Sequence, residues 1–350
     1  MFFGLFKKNE KTCLGIDFGA SGIKIIELAR QNKNRIALLN YVMAQTRIES
    51  NLNIAKLNSD EIGMLLKKLF EKANIKTRQA VFSLSVGETF STIINLPQMS
   101  EEELVKAIPF QARKYVPIPI EEVVLDWSVV GEFIEQKQGA APDSLAKPAE
   151  AAASEQPKQE GDNQMALPEP AGHKDVYQTK PAKTLQVLIV AVPQEVIRKI
   201  AQIAKKAELK VLAIEQEAFS IIRSLVGNDE STYLLVDLGQ QNTDLVIMDK
   251  NSIRLSYTFE RSKSFDLIAE AVKIINLYET RYQRKVAKVI LTGGGLTQIN
   301  WLGIFSSKLG IPVAVGDPFA RLVHDSKLDP ALKEIGPFMS VAVGGAMREI

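Results

Sequence analysis

Two segments of the chain place an aspartate at the end of an apolar run and follow it with a glycine turn. Residues 14–24 read Leu-Gly-Ile-Asp-Phe-Gly-Ala-Ser-Gly-Ile-Lys, and residues 234–245 read Leu-Leu-Val-Asp-Leu-Gly-Gln-Gln-Asn-Thr-Asp-Leu. Each pattern predicts a tight β-hairpin whose backbone N–H groups can face an anion, because glycine lets the main chain approach a phosphate closely. The carboxylates of Asp17 and Asp237 could hold a hydrated Mg²⁺ or orient a water molecule.

A third segment, residues 289–296, runs from an apolar strand into Gly293, Gly294 and Gly295. A Gly-rich turn before a helix would bring backbone amides and a helix N-terminus near a bound nucleotide. Taken alone, an Asp-x-Gly turn is most often only a hairpin, and a triple glycine is often only a helix entry. Two such hairpins followed by this turn predict two similar lobes that face each other across a ligand-binding cleft.

Composition excludes several other classes of function. The 43 Lys and Arg residues nearly balance the 41 Asp and Glu residues, which argues against a dedicated nucleic-acid binder. A lone cysteine, Cys13, cannot form an internal disulfide, and only His173 and His324 are available for zinc ligation or Ser-His catalysis. No apolar run approaches the ~20 residues of a membrane helix, and no signal peptide is recognisable. We therefore expect a soluble protein of a reducing compartment.

One stretch interrupts an otherwise regular alternation of strands and helices. Residues 135–183 are rich in Ala, Pro, Gln, Glu and Lys, and hold six of the fifteen prolines. This composition predicts a disordered insertion, because the stretch cannot bury enough apolar area to offset its ordering entropy. The flanking segments, Val123–Val130 and Thr184–Val192, are predicted as neighbouring strands of one domain. A helix is predicted to begin at the capping box formed by Ser100 and Glu103.

These motifs resemble a known superfamily. The two hairpins, the triple-glycine turn and the closing Phe-Met-Ser-Val-Ala-Val-Gly-Gly-Ala segment (residues 338–346) are similar to the two phosphate motifs, the adenosine motif and the second connecting helix of the actin-like ATPases. Within that superfamily, residues 17–24 and 115–127 resemble the PilM family of cytoplasmic type IV pilus assembly proteins, which is related to FtsA. The resemblance covers nearly the whole chain outside residues 135–183.

The resemblance implies a fold class and a division of the chain. The expected fold is α/β, a two-lobed actin-like ATPase (ribonuclease-H-like) fold with an extra α+β subdomain in the first lobe and a reduced outer subdomain in the second. We assign residues 12–88 and 210–229 to the first-lobe core and residues 89–209 to the extra subdomain, which contains the insertion. Residues 230–350 are assigned to the second lobe, with its reduced outer subdomain at about 252–284.

The resemblance also implies that ATP and Mg²⁺ bind between the lobes, with Asp17 and Asp237 holding the metal through water. The implied nucleotide-binding residues are Asp17, Gly19, Ala20, Ser21, Gly22, Lys24, Asp237, Gly239, Gln240, Asn242, Thr243, Gly293, Gly294 and Gly295. Lys24 could meet a β-phosphate or lie at the rim, and Thr243 could bond a γ-phosphate or merely suit a strand. Glu217 is the candidate catalytic residue, since the superfamily often keeps a water-positioning group there; acidic capping of a helix explains it equally well.

Finally, the resemblance implies protein partners. The N-terminal tail of the inner-membrane protein PilN would bind in a groove between the extra subdomain and the first-lobe core, as an ordinary peptide-recognition event. The expected role is a scaffold and at most a weak ATPase, which partners hold at the inner face of the cytoplasmic membrane. Other pilus-machinery components and self-association are further expected contacts. Two alternatives stay open: a nucleotide-free pseudo-ATPase scaffold, and a phosphotransferase like the sugar kinases that share this fold.

Overall fold

The computed structural model describes residues 11–19, 22–32, 35–44, 54, 58–134, 183–240, 242–260, 266–297 and 299–350. The strands are β1 (Thr12–Gly19), β2 (Gly22–Asn32), β3 (Arg35–Ala44), β4 (Gln79–Leu84), β5 (Phe90–Pro97), β6 (Val123–Ile134), β7 (Lys183–Pro193), β8 (Lys210–Gln216), β9 (Tyr233–Leu238), β10 (Asn242–Asp249), β11 (Ser252–Glu260), β12 (Lys288–Thr292), β13 (Val313–Val315) and β14 (Leu322–Val323). The α-helices are α1 (Ser59–Lys72), α2 (Glu101–Ala112), α3 (Gln194–Lys206), α4 (Glu217–Leu225), α5 (Leu267–Tyr282), α6 (Trp301–Leu309) and α7 (Asp329–Met347). The predicted insertion lies outside the described residues, apart from Lys183.

The first sheet has the strand order β14-β3-β2-β1-β4-β8. Strands β1, β2 and β3 form an antiparallel meander, whereas β4 runs parallel to β1 and β8 runs parallel to β4. Side chains alternate between the two faces of a strand. On β1, Ile16 and Phe18 therefore pack against α1 and α3, while Cys13 packs in the cluster that contains α7. Asp17 shares the face of Cys13, which is the face that carries α7.

The second sheet repeats this plan with the order β11-β10-β9-β12-β13. Its first three strands are again antiparallel, and β12 and β13 are again parallel additions. Helices α5 and α6 bury one face of the sheet through Ala271, Tyr278 and Phe305. The region predicted as a reduced outer subdomain, at about residues 252–284, supplies β11 and α5 of this core. The prediction of a two-lobed α/β fold is confirmed.

A third sheet, with the order β5-β7-β6, forms the core of the extra subdomain. Helix α2 covers one of its faces, where Leu104 and Ile108 pack against Val187 and Ile189. The predicted capping box is confirmed, with the Glu103 amide donating to Ser100 Oγ and the Ser100 amide donating to Glu103 Oε2. Helix α3 packs beside α1 on the first sheet instead of joining α2. The predicted subdomain boundary at residue 209 therefore differs from the packing, because the apolar stripe of α3 is buried by the first-lobe core.

Helices α4 and α7 lie between the two large sheets. Helix α4 buries Ala218 and Ile221 against the second sheet, and α7 buries Met339 and Ala342 against the first. The two helices cross at Gly344, where an added Cβ would lie 1.8 Å from the Ser220 carbonyl oxygen. Strand β14 pairs with the first sheet and α7 packs against it, so the packing differs at this end from the predicted assignment of all of residues 230–350 to the second lobe. Within the described ranges, no helix combines the length and apolar character needed to cross a membrane.

Candidate functional site

The first hairpin, β1–β2, holds a buried ion pair. Asp17 and Lys24 lie opposite each other across the two strands, and Lys24 Nζ lies 2.9 Å from Asp17 Oδ2. The lysine side chain is 8% exposed and the aspartate side chain 7%. The ammonium group passes over Gly19, since an added Cβ there would lie 2.3 Å from Lys24 Nζ. The turn closes at Gly22, whose φ of 128° favours glycine, while Ala20 and Ser21 lie outside the described residues.

The second hairpin, β9–β10, has the same register with different chemistry. Asp237 lies opposite Asp244, so a carboxylate takes the place that Lys24 holds in the first hairpin. The turn passes through Gly239, where an added Cβ would lie 2.7 Å from the carbonyl oxygen of Asn242. Gln240 and Asn242 are exposed beside this turn. The hairpin predicted from the sequence is therefore present, with a second acidic group that the sequence analysis did not select.

Thr243 lies on the other face of the second sheet. Strand alternation places it on the side of Leu245 and Ile247, which pack beneath α5, and not on the side of Asp237 and Asp244. It is 1% exposed, and its hydroxyl has no hydrogen-bond partner among the described residues. The Thr243 hydroxyl therefore points away from the face on which Asp237 and Asp244 lie. This position favours the interpretation of Thr243 as a strand-forming residue over a contact with a phosphate.

The triple-glycine turn packs directly against the second hairpin. Gly293 has a φ of 92°, and an added Cβ would lie 2.2 Å from Asp237 Oδ1 and 2.6 Å from the Leu238 carbonyl oxygen. Its amide donates to the Pro337 carbonyl at 2.9 Å. Gly294 faces the ring of Phe338, and Gly295 is buried. A single 3₁₀ turn follows, so the predicted helix entry at this point is only one turn long.

The charges of the two hairpins act on each other. The pKa of Asp237 is raised to about 7, chiefly by burial and then by the Asp244 charge; the Lys24 charge opposes this rise and the Asp17 charge adds to it. Lys24 and Asp17 belong to the first sheet, whereas Asp237 and Asp244 belong to the second. The two aspartates that the sequence paired therefore lie within electrostatic range of one another, on the faces of their sheets that carry α7 and α4.

Glu217 lies at this same boundary and links the two lobes. Its Oε1 accepts a hydrogen bond from the Val86 amide at 2.8 Å. Burial raises its pKa well above the ordinary value, and the charges of Asp244, Asp237 and Asp17 raise it further. A glutamate whose pKa is raised in this way binds a proton more readily than an exposed glutamate. Because a protonated carboxyl carries no negative charge, Glu217 stabilises the N-terminus of α4 less than an exposed glutamate would.

Asp244 is the functional candidate that the sequence analysis missed. Burial raises its pKa to about 6, opposed by hydrogen bonds from Thr258, whose Oγ1 lies 2.5 Å from Asp244 Oδ1, and from Glu217. A hydrogen bond between two carboxyl groups requires one of them to carry a proton. The available signal was its position, because Asp244 follows Asp237 at the same separation at which Lys24 follows Asp17.

These carboxylates do not form a metal cage. Within the part of the chain that the structure describes, no three Asp, Glu, His or Cys side chains are close enough to ligate one ion directly. Mg²⁺ usually keeps several waters and takes only one or two carboxylates together with phosphate oxygens. The water-mediated role of Asp17 and Asp237 that the resemblance implies requires no such cage.

Part of the chain matches a known protein family, and the whole chain is similar to several solved structures. The family model for type IV pilus assembly protein PilM matches residues 15–152. A solved PilM-PilN type IV pilus biogenesis complex has a chain with 20% sequence identity, a TM-score of 0.69, and coverage of 96% of this chain and 98% of that one. A protein of actin-like ATPase fold from Bacteroides thetaiotaomicron has 11% identity and a TM-score of 0.44, with coverage of 94% and 99%. MreB5 of Spiroplasma citri bound to ADP has 10% identity and a TM-score of 0.42, with coverage of 97% and 96%.

The resemblance read from the hairpins thus agrees with an independent family match and with a shared fold over nearly the whole chain. Residues 15–152 thus match the PilM family model, and the chain shares its fold with a chain of the PilM-PilN complex.

Proposed function

We propose that this protein is a scaffold of type IV pilus assembly that binds the N-terminal tail of a PilN-like membrane protein. The observation that carries the proposal is the family match over residues 15–152, which includes the first-lobe meander, α1, β5, α2 and β6. Those elements belong to the first-lobe core and to the extra subdomain, between which the tail would bind. The fold shared with a chain of a PilM-PilN complex supports the same partner. Binding such a tail would place the protein at the cytoplasmic face of the inner membrane.

The extra subdomain has apolar surface available for such a tail. Val105 and Phe110 on α2 are 55% and 64% exposed, and Tyr115 just beyond the helix is 38% exposed. Val105 and Phe110 lie five residues apart on α2, so each is a separate apolar contact point for a partner. A short apolar tail that docks in a groove as an extended or helical segment uses this kind of surface.

The test is the affinity of a fluorescent peptide carrying the N-terminal residues of a PilN-like protein. We expect saturable binding to the unmodified chain and about tenfold weaker binding to Phe110→Asp, equivalent to about 1.4 kcal/mol. The matched control is Val315→Asp, which changes an equally apolar side chain, 43% exposed, on the second lobe. Absence of binding at tens of micromolar, or equal loss in both variants, would contradict the proposal.

We further propose that Mg²⁺ and ATP bind between the two hairpins. Lys24 would leave Asp17 to meet a phosphate oxygen, while Asp17 and Asp237 would hold the hydrated metal. Bound ATP with its metal would supply charges that bridge the two lobes. Support comes from the electrostatic contact between the hairpins and from the close packing of Gly293 on Asp237.

Weak turnover follows from the state of Glu217. A general base needs a free carboxylate oxygen near the attacking water, and the Glu217 carboxyl already shares a hydrogen bond with Asp244. Its Oε1 is also occupied by the Val86 amide. We therefore propose that nucleotide orders the lobes and is hydrolysed slowly if at all.

One set of observations favours the second candidate, a nucleotide-free scaffold. Lys24 is neutralised by Asp17, and the Gly293 amide is already bonded to the Pro337 carbonyl. Residues 252–260 and 267–282 belong to the core of the second sheet, so they supply no outer face for an adenine. Titration with Mg-ATP distinguishes the two candidates.

A further inference from the structure

A separate contact joins the extra subdomain to the second lobe. Arg254 of β11 is 9% exposed, and its Nη1 donates to the Val130 carbonyl at 2.9 Å and to Gln186 Oε1 at 3.1 Å. Val130 lies on β6 and Gln186 on β7, so one side chain of the second lobe bonds to two strands of the subdomain. Gln186 is itself only 2% exposed.

The subdomain is shaped to receive this arginine. The pairing of β6 with β7 shifts register between Val129 and Gly131, which leaves Val130 out of the ladder. A bulge of this kind turns backbone groups away from the neighbouring strand. At Gly131 an added Cβ would lie 3.1 Å from Arg254 Nη1, so glycine leaves room for the guanidinium. The irregularity in β6 thus supplies both an acceptor and space for Arg254.

Beyond Arg254, the contact consists of β5 of the subdomain lying beside β11 and of one long hydrogen bond. Gln186 Nε2 lies 3.4 Å from the Tyr282 hydroxyl, near the upper limit for a hydrogen bond. Within the second lobe, the Arg254 guanidinium lies 5.8 Å from the centre of the Tyr282 ring. Among the described residues, no salt bridge joins the subdomain to the second lobe. Small polar interfaces between domains permit relative motion. The hydrogen bonds of Arg254 are therefore the principal directed connection.

Arg254 has a second acceptor within its own lobe. Its Nε lies 3.9 Å from Asp249 Oδ2, too far for a hydrogen bond, and has no hydrogen-bond partner among the described residues. Asp249 is buried and is held by Arg284 at 3.1 Å and by Thr232 at 3.2 Å. A short movement of the guanidinium toward Asp249 would exchange bonds to the subdomain for bonds inside the second lobe. Release would keep the guanidinium beside a carboxylate, while the Val130 carbonyl and Gln186 Oε1 would need water as their new partner when the subdomain moves away.

We propose that Arg254 is a latch with two positions. Bonded to Val130 and Gln186, it holds the extra subdomain against the second lobe; turned toward Asp249, it releases the subdomain. The latch is independent of whether either proposed ligand binds. It has a consequence that does rest on the proposed function: a subdomain that is fixed to the second lobe would move with it when the cleft opens, which would link cleft occupancy to the groove for the partner tail.

The test measures the distance between the two parts in the full chain without ligands. Spin labels are placed at exposed positions by Glu102→Cys on α2 and Asn276→Cys on α5. Cys13 stays unlabelled, because burial raises its pKa to about 12 and the thiolate is the reactive form. We expect one narrow distance distribution for the protein with its latch intact, and a broader one with an added longer component for Arg254→Met.

Two further variants keep the result interpretable. Gln186→Met removes an acceptor from the other side of the latch and should broaden the distribution as Arg254→Met does, even where the latter folds poorly. Arg281→Met is the matched control, because Arg281 lies 5.7 Å over the same Tyr282 ring but makes no described hydrogen bond to the subdomain. Broadening in either latch variant that is absent from Arg281→Met supports the proposal. Unchanged distributions in both latch variants, or equal broadening in Arg281→Met, would overturn it.

Discussion

The two hairpins at the inter-lobe boundary share one register and differ in charge. Asp17 lies opposite Lys24 in the first, and Asp237 lies opposite Asp244 in the second. The first pair forms a buried ion pair at 2.9 Å. The second pair brings two carboxyl groups together, and burial with mutual repulsion raises the pKa of Asp237 to about 7.

This difference shows that duplicated geometry need not carry duplicated chemistry. The first hairpin is neutral as it stands and offers a cation to an anion only when Lys24 leaves Asp17. The second hairpin can bind a proton or a cation without first breaking an ion pair, because its two carboxylates are shielded from water and repel each other. A metal-bound polyphosphate, with its negative groups toward the first hairpin and its metal toward the second, would satisfy both.

The largest expected loss of stability comes from removing the ion pair of the first hairpin. Lys24→Met leaves the Asp17 carboxylate buried without its partner, and we expect a loss of about 4 kcal/mol in the free energy of unfolding, measured by urea denaturation. The matched control is Lys273→Met on α5, whose lysine side chain is 72% exposed and lies 3.5 Å from Glu270. An exposed pair contributes less than about 1 kcal/mol. Similar small losses in both variants would show that the first hairpin does not depend on its ion pair.

The next largest loss of stability is expected at one of the two glycines that lie beside Asp17 and Asp237. Gly293→Ala forces a left-handed backbone position and presses a Cβ on Asp237 and on the Leu238 backbone, so we expect a loss of about 3 kcal/mol. Gly19→Ala meets chiefly the end of the flexible Lys24 side chain and should lose about 1 kcal/mol. Thermal unfolding of both variants measures the difference. Equal losses would argue against tight packing of the glycine turn on the second hairpin.

A smaller effect is expected in how the free energy of unfolding depends on pH, to which the second hairpin contributes through Asp244 and Asp237. The pKa of Asp244 is raised to about 6 in the folded protein, so the folded state holds more protons than the unfolded state above about pH 4. The contribution to stability is present below the unfolded pKa and is lost as pH rises through 6, with a further loss toward 7 from Asp237. Asp244→Asn should therefore flatten the decline in unfolding free energy between pH 4 and 8 by about 2 kcal/mol.

The control for this pH series is Asp126→Asn, which alters an exposed aspartate on β6. Urea denaturation of both variants and the unmodified chain at several pH values gives the comparison. We expect the control to follow the unmodified chain. A decline that is as steep in Asp244→Asn as in the unmodified chain would mean that Asp244 ionises as freely in the folded state as in the unfolded one.

Local features of this fold could be predicted from the sequence. The strands on either side of Gly19 and Gly239, the capping box at Ser100 and the α/β alternation all depend on short-range patterns of apolar residues, turn residues and caps. The shared register of the Asp17 and Asp237 hairpins could be predicted too, because the same motif occurs twice. These predictions needed no knowledge of how distant segments meet.

The remaining features depend on contacts that no local pattern records. Glu217 meets Asp244 only because α4 packs on the second sheet, and Thr243 faces α5 because strand alternation, not motif membership, sets its side. Helix α7 returns to the first sheet through its apolar face, which the sequence of that helix alone does not assign to either lobe. The Arg254 contact requires the bulge in β6 and the approach of β11, which are both tertiary features.

The central claim is that the two hairpins jointly bind a metal-bound nucleotide, and calorimetric titration of the full chain with Mg-ATP tests it most directly. We predict saturable binding of one nucleotide per chain, weakened at least about tenfold by Asp237→Asn, a change of about 1.4 kcal/mol or more, and unaffected by Asp126→Asn. Absence of binding at millimolar Mg-ATP, or equal affinity for the unmodified chain and Asp237→Asn, would contradict the claim.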